Sequence, residues 1–116
     1  MNFRQFQEAC KRTENPSLSP NEKACNWALG IAGEAGEVVE LIKKNQFHAK
    51  GLDLDDLVKE VGDVLYYLAA LCNLYGLSLE DVAERNVVKL LERYPNGFQA
   101  AINGSLPNND HEDDGN

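Results

Sequence analysis

Apolar residues recur at steps of three and four through most of the chain, and no stretch alternates as a half-buried strand would, so the sequence commits to helices. Phe3, Phe6 and Cys10 predict a short amphipathic helix over about 2–14, which Asn15-Pro16 breaks. Ser19-Pro20-Asn21-Glu22 is a compact start signal: Ser19 caps, Pro20 suits the first helical position and Glu22 completes a capping box. The helix that follows runs to about Gln46, since nothing breaks it before Gly51. A third helix opens near Asp53, with Asp55 and Asp56 at its positive end, and carries Leu57, Val61, Val64, Leu68 and Leu71 before Gly76 stops it. Ser78 caps a fourth, which holds Leu79, Val82, Ala83, Val87 and Leu90 and ends before Pro95. Short connections between such helices predict an all-α bundle of about four helices. The expected domain covers 1–102, and the acidic, aperiodic 103–116 reads as a disordered tail.

The second and third helices interrupt their own apolar stripes with acids. Ile31, Val38 and Leu41 lie along one line, and Glu34 sits inside it, three after Ile31 and four before Val38. Glu37 is adjacent, four before Leu41. On the third helix Glu60 falls three after Leu57 and four before Val64, with Asp63 one turn further on. Each pair is three apart, about 60° around a helix, so its two carboxylates can converge on one point. Ionised carboxylates at a packed face are costly unless compensated. Lys or Arg partners would serve for one pair; divalent cations would serve for both, and an oxygen-only site favours Mg²⁺ or Mn²⁺. No Glu-x-x-His occurs, which argues against a di-iron carboxylate bundle. A single such pair would read as a solvated helix face; two pairs, both interrupting apolar stripes, point to a metal site.

Glycines add a second anomaly. Gly30, Gly33 and Gly36 recur every three residues inside one helix, and Gly62 lies inside the next. Each costs a helix interior roughly 1 kcal/mol relative to Ala. Either close approach by another backbone or ligand, or tight helix packing, accounts for such a pattern.

Charge and cysteine usage narrow the setting. The 116 residues carry a formal net charge of −8, with Asp110, Glu112, Asp113 and Asp114 in a tail that has no Lys or Arg. An acidic chain of this kind is a poor ligand for nucleic-acid phosphates and a good concentrator of cations. Cys10, Cys25 and Cys72 form no CxxC pair and leave an odd count, as in a reducing, cytoplasmic setting where they serve as small apolar residues. No signal peptide or membrane-length apolar run is present, so no membrane association is expected.

The segment GEAGEVVELIKK, followed after a spacer by KEVGDVLYYL, resembles the MazG-like family of all-α nucleoside triphosphate pyrophosphohydrolases. The resemblance rests on an ExxE, spacer, ExxD signature, with 22 residues between Glu37 and Glu60, and extends over about 24–98. The ending KLLERYPNGF is similar to that of small stand-alone or phage-type members. The resemblance implies a Mg²⁺ site, with Mn²⁺ as substitute, formed by Glu34, Glu37, Glu60 and Asp63. It also implies cleavage between the α- and β-phosphates to a monophosphate and pyrophosphate, and a homo-oligomer, dimer or tetramer, that completes the bundle. One departure stands out: many relatives have a second Glu where this chain has Gly33, and Glu40 extends the acidic series by a turn instead.

For that chemistry a carboxylate must accept a proton from the attacking water; Glu37 is the first choice and Glu34 the second. Asn86, Lys89 and Arg93 share one ridge of the fourth helix and read either as nucleotide-binding groups or as a solvated basic face with a satisfied Asn. Lys43 and Lys44 are further phosphate candidates, though as cations they suit a solvated helix C-terminus better. Trp27 and Asn26, two turns before Glu34, can stack on a base and read its edge, or Trp27 can be a core residue. Tyr66 and Tyr67 are equally open, and His48 and His111 lack the partners of a zinc site. The rivals are a more specialised dUTP or phosphoribosyl-ATP pyrophosphohydrolase and a non-catalytic helical interaction module.

Overall fold

A computed structural model of the chain describes residues 1–98, and within them all regular structure is helical: α1 (Phe3–Cys10), a 3₁₀ turn (Lys11–Thr13), α2 (Pro20–Phe47), α3 (Leu54–Leu74) and α4 (Leu79–Arg93). The expected tail, 103–116, lies outside the described residues. No strand occurs among the described residues.

The helix starts are set by local chemistry. Ser19 accepts a hydrogen bond from the Glu22 amide at 3.2 Å, and Glu22 Oε1 accepts one from the Ser19 amide at 2.8 Å. Those bonds hold the Glu22 carboxyl below its ordinary range, the Ser19 backbone contributing most. Asn2 and Gln5 form the same reciprocal box at the start of α1. Asp53 caps α3 by accepting from the amides of Asp55 and Asp56. Gly76, at φ +66°, ends α3: its amide reaches the Asn73 carbonyl and the Leu77 amide that of Cys72, the paired bonds of a Schellman turn. The first helix is shorter than expected, because the chain tightens to 3₁₀ geometry at Lys11 before Asn15-Pro16 rather than remaining α-helical to about 14.

The chain divides into two compact units. The first, Met1–Leu79, holds α1 to α3. In it α2 and α3 pack antiparallel, Trp27 and Gly30 meeting Tyr67 while Glu34 meets Asp63 and Glu60, and α1 packs on α3. Its small core joins Cys10, Ala69 and Leu79 to Phe6, Leu65, Tyr66 and Cys72. Burial pushes the Cys10 and Cys72 thiols up from their ordinary range. Buried Gln7 is fully used: its Nε2 donates to Asn73 Oδ1 and to the Leu77 carbonyl, both at 3.0 Å, and its Oε1 accepts from the Leu79 amide at 2.7 Å. Thr13 and Tyr66 hydroxyls bond to each other, and Lys23 pairs with Glu14, tying the segment after α1 to α3 and α2.

The second unit begins at Glu80 and includes the rest of α4. Asp81 and Arg85 pair at 3.2 Å along its exposed side. Val87, Leu90, Leu91, Tyr94, Gly97 and Phe98 line a shallow apolar pocket there. No helix among the described residues is long and apolar enough to cross a membrane.

Candidate metal centre

Helical spacing and antiparallel packing bring the acids together. Glu34 on α2 and Glu60 and Asp63 on α3 each place a carboxylate oxygen so that the three lie within 4.8 Å of one another. Glu34 and Glu60 are half-buried and Asp63 is exposed, so the cluster opens to solvent on the Asp63 side. Glu37, one turn beyond Glu34, is exposed and outside this trio, yet close enough to act on Glu60.

Glu60 bears the strain of the arrangement. Its Oε2 is shielded from solvent and has no hydrogen-bond partner. Burial first, then the sharing of a hydrogen with Glu34 and repulsion from Glu34, Glu37 and Asp63, raise its carboxyl above the ordinary range. Among the described residues, the ion pairs Lys11–Glu8, Lys23–Glu14 and Arg85–Asp81 involve none of the three acids. An all-oxygen donor set with an orphaned, shielded oxygen fits a hard divalent cation, which would satisfy that oxygen and screen the repulsion at once.

The remaining candidates divide. Trp27 is only 5% exposed and its ring lies 6.3 Å from that of Tyr67, the packing of a core tryptophan. Asn26 beside it is exposed. Asn86 and Lys89 are exposed and Arg93 half-buried on α4, within the second unit. Lys43, Lys44 and His48 are exposed at the end of α2. Of the glycines among the described residues, Gly30 alone meets close packing: a Cβ there would lie 2.4 Å from Tyr67 Cδ1. Gly33, Gly36 and Gly62 face open space, so close packing explains one of the four and not the others. What spacing did not reveal is this cross-helix pairing of Gly30 with Tyr67; the glycine inside a helix was the signal, but its partner sits on another element.

The family model of the MazG nucleotide pyrophosphohydrolase domain matches residues 24–98, a span that contains all four acids. Gene 37 protein of Mycobacterium phage L5 is 38% identical over 84 residues, which cover 69% of this chain and 71% of that protein. Uncharacterized protein YvdC of Bacillus subtilis (strain 168) is 30% identical over 70 residues, 53% of this chain and 66% of that protein. No solved structure matches.

Proposed function

Because the chain belongs to the MazG nucleotide pyrophosphohydrolase family, we propose that it hydrolyses nucleoside triphosphates between the α- and β-phosphates, with Mg²⁺ or Mn²⁺ as cofactor. The observations that carry this reading are the convergence of Glu34, Glu60 and Asp63 and a Glu60 oxygen, Oε2, that has neither solvent nor a donor. Those three residues would hold the ion. When bound, it supplies charge neutralisation and Lewis acidity at the phosphates.

The protein's own groups do the rest. Glu37 stands beside the trio rather than in it and is exposed, so it remains free to take a proton from the water that attacks the α-phosphorus. Glu34 is the second choice, at the expense of its place in the donor set. Exposed Asn26 is assigned to the edge of the nucleotide's base. Trp27, withdrawn into the core, shapes the wall rather than stacking on the substrate. A second copy of the chain completes the bundle, and a reducing compartment suits the three free thiols.

The test is the position of the broken bond. Hydrolysis of a deoxynucleoside triphosphate in ¹⁸O-labelled water should release monophosphate and pyrophosphate together, with the label on the monophosphate. Label in pyrophosphate would mean attack at the β-phosphorus, and an early diphosphate would mean loss of the γ-phosphate; either result rejects this reaction. A panel including dUTP and phosphoribosyl-ATP separates a specialised relative, and no turnover with Mg²⁺ or Mn²⁺ on any of them would leave an interaction module.

A further inference from the structure

We propose that the contact between Gly30 and the Tyr67 ring is the spacer that sets the distance between the α2 and α3 carboxylates, and hence which ion they accept. This inference rests on the metal reading of the site.

Gly30 lies one turn before Glu34 on α2, and Tyr67 one turn after Asp63 on α3. Their contact is therefore the layer next to the trio in the helix pair. A Cβ on Gly30 would fall 2.4, 2.5 and 2.7 Å from Tyr67 Cδ1, Cε1 and Cγ. Ordinary van der Waals contact begins near 3.4 Å, so any side chain here must drive the ring or the helix away by about 1 Å. The ring has little freedom to swing aside. Trp27 packs on one side, 6.3 Å between centroids, and Tyr66 meets it edge-on at 5.2 Å with planes at 79°. Tyr66 is itself held through its hydroxyl by Thr13. The displacement must then go into the separation of α2 and α3, and the trio draws one carboxylate from the first helix and two from the second.

Such a layer acts on metal choice, not only on stability. Mg²⁺ demands short bonds of about 2.0–2.1 Å and near-ideal geometry, whereas Ca²⁺ accepts about 2.3–2.6 Å and irregular coordination. A glycine that admits the aromatic ring, and a ring that stops closer approach, hold the two helices at a separation suited to the smaller ion. Gly30 and Tyr67 are positioning residues; neither touches the ion.

The experiment is Mn²⁺ and Ca²⁺ titration calorimetry on the full chain and its variants. Gly30→Ala should weaken Mn²⁺ binding by about tenfold to a hundredfold, the scale on which supporting residues act on metal sites, and should lower the Mn²⁺-to-Ca²⁺ affinity ratio. Tyr67→Phe keeps the ring and should bind as the parent does. The Gly30→Ala penalty should largely vanish in a Tyr67→Ala background, because the clash is gone. Equal weakening toward both ions, a penalty unchanged in the Tyr67→Ala background, or loss of affinity in Tyr67→Phe would each overturn the spacer. If Gly30→Ala fails to fold alone, Gly30→Ala/Tyr67→Ala against Tyr67→Ala carries the comparison, and a difference between them overturns it. Absence of Mn²⁺ binding to the parent chain would instead remove the metal reading. A crystal structure of Gly30→Ala in chelator then tests the spacing by itself: α2 and α3 should move apart beside Glu34 by about 1 Å, as the missing contact distance requires, and an unchanged separation refutes the spacer.

Discussion

A carboxylate oxygen reached by neither solvent nor a hydrogen-bond donor, as Glu60 Oε2 is, destabilises the charged form of its residue. Glu60 is raised above the ordinary carboxylate range by burial and then by Glu34, Glu37 and Asp63. The sign of the linkage follows. A group whose pKa is higher in the folded state adds stability that is fully present below the unfolded value, about 4.3 for Glu, and lost as pH rises through the folded value. In chelator at neutral pH, Glu60→Gln should therefore unfold at a higher temperature than the parent chain, and the gap should close as pH falls toward 4. The same variant should lose turnover by about a hundredfold or more, the scale of removing a charge-stabilising group from an active site. Calorimetric unfolding across that pH range, beside a pyrophosphate-release assay, measures both. A variant less stable than the parent at neutral pH would identify Glu60 as one half of a structural ion pair. Three of the four candidate acids, Glu34, Glu60 and Asp63, come together as their spacing allows, since i, i+3 geometry and two interrupted stripes leave them one common face. The exclusion of Glu37 from the trio depends on the helix crossing, which spacing does not encode.

At the level of the helix, starts are legible and ends less so. Ser19, Asp53 and Asn2 accept hydrogen bonds from amides within their own first turn, so the start depends on a few adjacent residues. The end of α1 depends on where the segment toward α2 is tied down by Thr13–Tyr66 and Glu14–Lys23, contacts 53 and nine residues apart in sequence. Glycines divide on the same ground. Gly33 sits in α2 with nothing within 4 Å of where its Cβ would be. Gly33→Ala should thus stabilise the chelated protein by about 0.5–1 kcal/mol, the conformational freedom a glycine forfeits in a helix. Denaturant melts of the variant and the parent decide the matter. A loss of stability would mean that another copy's backbone packs against that face, and the contrast with Gly30, one turn earlier, would then be one of partner rather than of packing density.

Burial across the whole described chain is thin. Its buried apolar residues are Cys10, Trp27, Ala69, Ala70 and Leu79, two of them alanines, and no large side chain is completely enclosed. Meanwhile Leu29 on α2 is 71% exposed and Val58 on α3 is 70% exposed, with Val39, Leu54, Val61 and Phe47 half exposed or more. A chain of this length has little surplus stability, and leaving such side chains in water forgoes about 1.5–3 kcal/mol for each that could be buried. Association is the available remedy: a stable interface covers about 800 Å² per partner, an area that several large apolar side chains and their neighbours can fill. The protein should accordingly be at least a dimer at micromolar concentration by light scattering. Because folding and association would then be linked, dilution should lower the unfolding temperature as well as the apparent mass. Substituting Val58 with Glu, on the exposed side of α3, should shift the protein toward monomer and make its unfolding independent of concentration, because an ionised carboxylate is costly in a dry interface. A strict monomer with full activity and a concentration-independent unfolding temperature would show that these apolar side chains remain in water and that one chain suffices for the reaction.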